Sequence, residues 1–127
     1  MTIQQVIANE KEINELVLAG KMLEAFDKFY GENVVMMETD GSQNVGKDNC
    51  RKYEEGFISS ITQFNEAKVI SSVVVPISET EFEVYATWYN DMVTTNYPIK
   101  GNQISITTWK DDMIQKVVFK MPAEIIA

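Results

Sequence analysis

The 127-residue chain contains no histidine, one cysteine and one arginine, and each scarcity removes a class of chemistry. Without histidine there is no imidazole base, no Ser-His or Cys-His nucleophile pair and no histidine-ligated zinc. Proton transfer near neutral pH must fall to a carboxylate, a tyrosine, a lysine or Cys50, with a pKa moved by its surroundings. A lone Cys50 cannot form an internal disulfide, which fits a reducing, cytoplasmic setting. Only oxygen ligands remain for a metal. The Asp-rich loop of a calcium hand is missing, so no metal site is expected. No apolar run is long enough to span a bilayer. Met1-Thr2-Ile3-Gln4-Gln5 has no basic start, so a secretion signal is not expected. Cations are also scarce: 11 Lys and Arg stand against 19 Asp and Glu, a net charge of -8. Such a surface offers neither a nucleic acid nor an anionic membrane a basic face.

What is present is an ordinary apolar fraction of 45%, enough for a single domain over 1–127. Ile3, Val6, Ile7, Ile13, Leu16 and Val17 recur at helical spacing, and Gly20 predicts a left-handed cap. Met22, Leu23, Phe26, Phe29 and Tyr30 form a second helical stripe, closed by Gly31. Val34 to Thr39 alternates as a strand, and Asp40-Gly41-Ser42 is a turn. Gly46-Lys47-Asp48 opens a third helix through Cys50, Tyr53, Phe57, Ile58 and Ile61, and Gly56 inside it predicts close packing. Glu66 to Val75 is β-branched. Along Glu81 to Thr95, Phe82, Val84, Ala86, Trp88 and Asn90 oppose Glu83, Tyr85, Thr87, Tyr89 and Asp91. Asn96 to Asn102 reads as a connection. Gln103 to Lys110 and Met113 to Met121 form a hairpin across Asp111-Asp112. An α+β fold with a mostly antiparallel sheet follows.

The order of Leu18-Ala19-Gly20, Phe26-Asp27-Lys28-Phe29-Tyr30, Val34-Val35-Met36, Gly46-Lys47-Asp48 and Ile106-Thr107-Thr108-Trp109 to Ile114 resembles the nuclear-transport-factor-2-like superfamily. Its SnoaL-like members are the nearer match, and the resemblance runs from Leu16 to Met121. It implies a cone, with three N-terminal helices packed in the concave face of a strongly curved sheet and a pocket between them. It also implies a small apolar ligand, no organic cofactor, and a homodimer through the sheet face. Asp111-Asp112 stands where the family places glycine and lysine. Enzymes of the superfamily include ketosteroid isomerase, polyketide cyclases, scytalone dehydratase and limonene epoxide hydrolase. Glu38 falls on the isomerase's proton-shuttling carboxylate, while Ile13 and Ser105 stand where its hydrogen-bond donors would be. The dehydratase's histidine has no counterpart. Val117, Phe119 and Met121 replace the cyclases' late-strand acid, and the hydrolase's acid-arginine-acid set is not visible beside Arg51.

These readings define the candidates. Glu38 shares a strand face with Met36, so it is either a desolvated acid or base in the cone or a solvated acid before a turn. Met36, Phe57, Trp88, Trp109 and Phe119 are either pocket walls or plain core. Asn90, Ser105 and Thr107 would orient a ligand, or bind water. Cys50 reads as a small buried apolar residue, and Glu10-Lys11-Glu12 and Glu54-Glu55 as solvated helix faces. The chain is then an isomerase, cyclase or dehydratase with Glu38 as proton shuttle, or a non-catalytic ligand-binding or dimerisation module using Tyr85, Tyr89 and Val93. Glu38 buried beside a cavity favours the first class. Glu38 in bulk solvent, or a cone filled by Trp88 and Trp109, favours the second.

Overall fold

The computed structural model describes residues 1–122, so the last five residues of the expected 1–127 domain lie outside the described residues. Helix α1 (Ile3–Leu18) begins at Thr2, whose hydroxyl accepts from the Gln5 amide while the Gln5 side chain accepts from the Thr2 amide. These two bonds satisfy amides that a bare helix end leaves open. The helix ends at Gly20 with φ 77°, where the Gly20 and Lys21 amides donate to Val17 and Leu16, a Schellman cap of the kind the sequence predicts. Helix α2 (Met22–Phe29) follows at once and runs directly into strand β1 (Tyr30–Met37). Short β2 (Gln43–Val45) precedes α3 (Lys47–Ser60). Four long strands complete the fold: β3 (Ile61–Pro76), β4 (Glu81–Thr94), β5 (Pro98–Lys110) and β6 (Met113–Lys120).

The six strands form one open sheet in the order β2-β1-β6-β5-β4-β3. Every pairing is antiparallel except β1 against β6. This gives the expected α+β cone, with three N-terminal helices on the concave face of a mostly antiparallel sheet. Register assigns that face: Met36 lies opposite Val117, Val117 opposite Thr107, and Thr107 opposite Val84. Of these concave-facing residues, Met36, Val84 and Val117 join Val6, Phe26, Phe29, Cys50, Phe82, Trp109 and others in one buried cluster. Burying such side chains contributes roughly 1.5 to 3 kcal/mol each relative to exposure. No helix among the described residues is long and apolar enough to cross a membrane.

Several local expectations are corrected. Strand β1 starts at Tyr30 and stops at Met37, so Glu38 lies just past its end, where its amide donates to the Ser42 carbonyl. Gly31 is a strand residue rather than a helix stop; a Cβ there would meet the Gln115 side chain at 2.9 Å. Gly56 packs against nothing, since a Cβ added there meets no atom within 4 Å. The 96–102 connection shrinks to three residues because β5 begins at Pro98, with Gly101 at φ 134° opposite Asn90. Strand β3 is longer than 66–75, because α3 hands its chain straight into the sheet at Ile61.

The β5–β6 turn carries the two positive-φ non-glycine residues among those described, Asp111 at 52° and Asp112 at 68°. Two consecutive left-handed residues make the tight hairpin turn whose twist suits its strands, and glycine adopts that region without strain. Asp112→Gly is therefore expected to raise the unfolding free energy by about 1 kcal/mol, read by urea denaturation. A fall would mean that the ion pair from the Met1 amino group to Asp112, 3.6 Å long, outweighs the backbone strain.

Candidate functional site

Three carboxyl groups lie desolvated between the helices and the sheet, two of them close together and one apart, and among the described residues no cation forms an ion pair with any of them. The first is Glu38. Although it lies past the end of β1, its charge is felt by Cys50, Tyr53 and Glu54 of α3, and its Oε1 is buried without a hydrogen-bond partner. Burial raises its pKa, and the charge of Asp40 raises it further. Asp40 itself is the turn residue expected: its carboxylate accepts from the Ser42 amide and hydroxyl, which lowers its pKa.

Glu54 on α3 is the second, and sequence reasoning missed it. The side chain is only 8% exposed. Burial pushes its carboxyl up to about 7, with the negative charge of Glu38 adding to the shift. The expectation of a solvated Glu54 fails because the buried stripe of α3 includes this acid among its apolar residues. Glu54 stands four residues after Cys50 and four before Ile58, on the stripe those residues define. Its neighbour Glu55 is exposed as expected and pairs with Arg51. Two tyrosines feel the same charges. Tyr53 is pushed up to about 12, by burial first and then by Glu38. Tyr30, stacked on Phe26 with ring centroids 4.5 Å apart, is raised by burial and then by Glu54 and Glu10. Cys50 is inert packing: it is fully buried, burial raises its thiol pKa, and its Sγ donates to the Asn44 carbonyl at 3.2 Å.

Glu10 on α1 is the third acid and a second correction to the solvated-face reading. It accepts a 2.8 Å hydrogen bond from Trp109 Nε1. Burial raises its pKa more than the indole lowers it. Here too the spacing was available, since Glu10 follows Val6 by four and Ile7 by three.

The other expected site residues separate into two groups. Met36 and Trp109 are core: both are buried, and Trp109 sits edge-on to Phe29 with centroids 5.8 Å apart. Phe119 packs on that core. Trp109 thus occupies the interior that an open cone would leave free. Trp88, Asn90, Ser105 and Thr107 share the concave face by register, Trp88 opposite Gln103 and Ala86 opposite Ser105. Thr107 is buried, while Trp88, Asn90, Ser105 and the α3 residue Phe57 are half-buried. Tyr85, Tyr89 and Val93 lie on the opposite, convex face, with the Lys68 ammonium 5.3 Å from the Tyr89 ring centre. A groove of about 410 Å³ opens between α1 and β3, and none of the expected pocket residues lines it. Among the described residues no group of three or more acidic or cysteine side chains could hold a metal ion.

No protein-family model matches the chain, and no curated protein does. Solved structures do. A Mesorhizobium loti protein assigned as a SnoaL-like polyketide cyclase superposes with a TM-score of 0.65 at 16% identity, covering 95% of this chain and all of that one. A nuclear-transport-factor-2-like protein from Cytophaga hutchinsonii gives 0.71 at 13%, covering 94% and 98%. The CaMKII hub of S. rosetta gives 0.69 at 13%, covering 92% and 94%. At these identities the likeness is one of fold, and at that level the resemblance seen in the sequence is borne out.

The carboxyl at position 54 has a consequence for stability. The folded chain keeps this proton up to about pH 7, whereas an unfolded Glu releases it near 4.5. Between those values the folded state binds more protons, so stability falls as pH rises. Glu10 and Glu38 act with the same sign. Glu54→Gln is expected to match the parent near pH 4 and to exceed it at pH 8 by on the order of 2 kcal/mol, measured by urea denaturation across that range. A variant less stable than the parent at both ends would remove the claim that this carboxylate is destabilising.

Proposed function

We propose that the chain is a small-molecule-binding protein that transfers a proton on an apolar carbonyl compound, the step shared by isomerases, cyclases and dehydratases of this fold. The supporting observation is the Glu38–Glu54 pair: one carboxylate with a buried, partnerless oxygen, beside a second acid still protonated near neutral pH. Two acids whose surroundings separate their protonation states can serve as base and acid together. In this reading Glu38 removes the proton from the carbon next to the carbonyl, and the Glu54 carboxyl donates a hydrogen bond to the developing enolate oxygen. Glu38 then returns the proton at the same or a neighbouring carbon. Asn90, Ser105 and Thr107 orient the ligand against Trp88 and Phe57. The reading needs no organic cofactor or metal, and it includes a cytoplasmic location.

Its test is exchange of α-hydrogens for deuterium in a panel of apolar ketones, followed by NMR. Glu38→Gln should slow exchange by a factor of about 100 or more, and the parent should lose rate as pH rises past 7 and Glu54 ionises. Exchange that is unaffected by Glu38→Gln would end the proton-shuttle assignment.

The second reading, a ligand-binding or dimerising module, is favoured by two observations, the first being that Trp109 fills part of the cone. The convex sheet face carries Val73, 56% exposed, together with Val75 and Tyr85, around which Tyr89 and Val93 complete an apolar strip. Uncovered apolar strips on a sheet commonly mark an interface. A homodimer through this face is part of our proposal. In sedimentation experiments the parent should run as a dimer and Val73→Lys with Tyr85→Lys as a monomer. A parent that sediments as a monomer would count against the interface.

A further inference from the structure

The groove between α1 and β3 is separate from the Glu38–Glu54 pair and has its own chemistry. One wall is a single stripe of α1: Ile3, Ile7, Glu10, Asn14 and Leu18, with Lys11 and Glu15 on its flank. The other wall is Ser72 and Val74, which face the concave side from β3, opposite Ala86 and Val84. Along the helix the stripe rises about 1.5 Å per residue, so Ile3 to Leu18 spans roughly 22 Å. At about 410 Å³ the groove has the size of a small-molecule site. Ile7 and Leu18 on its wall are 52% and 51% exposed, leaving large apolar side chains uncovered.

We infer that this groove binds an apolar molecule carrying an amine, with the ammonium on Glu10 and the hydrocarbon along Ile3, Ile7 and Val74. Charge selects the occupant. Lys11 and Glu15 offset each other at the rim, which leaves Glu10 as the uncompensated charge of the groove. None of the three forms an ion pair among the described residues. One Glu10 oxygen, Oε1, is engaged by the Trp109 indole N–H at 2.8 Å, which fixes the carboxylate and leaves Oε2 for a ligand. Burial of Glu10 makes its ionised form costly, and a cation brought into contact recovers that cost. A neutral alcohol donates only an uncharged, weaker hydrogen bond to this carboxylate, and a second carboxylate would be repelled. Asn14 and Ser72 supply polar groups beside the same point.

The test uses octylamine, octanol and octanoate as probes of equal chain length, by calorimetry on the intact chain. Octylamine should bind about tenfold or more tighter than octanol, and octanoate should bind least. In a Trp88→Phe background octylamine should also shift the emission of Trp109, whose N–H bonds the same carboxylate. Glu10→Gln keeps an acceptor for the indole and should erase the preference for the amine while octanol still binds. Ile7→Ser, a change at an exposed position, should weaken amine and alcohol alike with thermal unfolding unchanged, and it decides the case if Glu10→Gln does not fold. Equal affinity for amine and alcohol, a preference that survives Glu10→Gln, or no binding by any probe would overturn the inference. So would loss of amine binding in Glu38→Gln with Glu10→Gln unaffected, which would move the amine to the other acid pair.

Discussion

The point on which the helices and the sheet depend is the Trp109 indole. Its ring is wholly buried, edge-on to Phe29 of α2, and register sets it against Phe82 of β4 and Ile114 of β6. A buried N–H must find an acceptor, because leaving it unmade costs the desolvation of the donor, roughly 1 to 3 kcal/mol. Glu10 of α1 provides the acceptor. One side chain thereby ties α1, α2 and three strands together. The consequence is that a carboxylate enters the interior, and its burial cost must be carried by the fold or relieved by protonation or a ligand.

The same economy of charge runs through the molecule. The ion pairs lie on the surface: Arg51 grips Asp27 through two bonds of 2.8 and 2.9 Å and also reaches Glu55, joining α2 to α3, and Lys28 pairs with Glu12. Where acids are buried, no cation follows. Surface pairs of this kind contribute little to stability, at most about 1 kcal/mol each, whereas an uncompensated interior carboxyl costs more. The chain places its few cations where they gain least and leaves its interior acids open. A fold under selection for stability alone would do the reverse, and such departures concentrate at functional sites.

Much of the architecture was legible in the sequence because it rests on local rules. The stripe from Ile3 to Val17 with Gly20 beyond it, the alternation from Phe82 to Asn90, and the Asp111-Asp112 turn each state their own geometry. What was not legible depends on long-range pairing. That β1 starts at Tyr30 follows from its parallel seat against β6 some eighty residues away. That Pro98 to Asn102 is strand follows from its partners on β4, despite Pro98 and Gly101. In the site, Glu38 was legible from its strand parity with Met36. Glu54 and Glu10 were not legible because acids are ordinarily solvated, although both stand on the apolar stripes of their helices. An aromatic such as Trp109 cannot be assigned to wall or core by periodicity, because both lie on the same face; only its contacts with Phe29 and Glu10 decide.

The buried acids of the cone fall into two separate regions. Glu38 and Glu54 sit at the junction of β1 and α3, where each raises the cost of ionising its surroundings. Glu10 sits on α1, facing the β3 seam, and its carboxylate is anchored by the indole. Between the two regions stands Tyr30, whose phenol is raised by burial and by both Glu54 and Glu10. The shared influence is electrostatic: Glu54 and Glu10 each add negative potential at the phenol and hold it neutral.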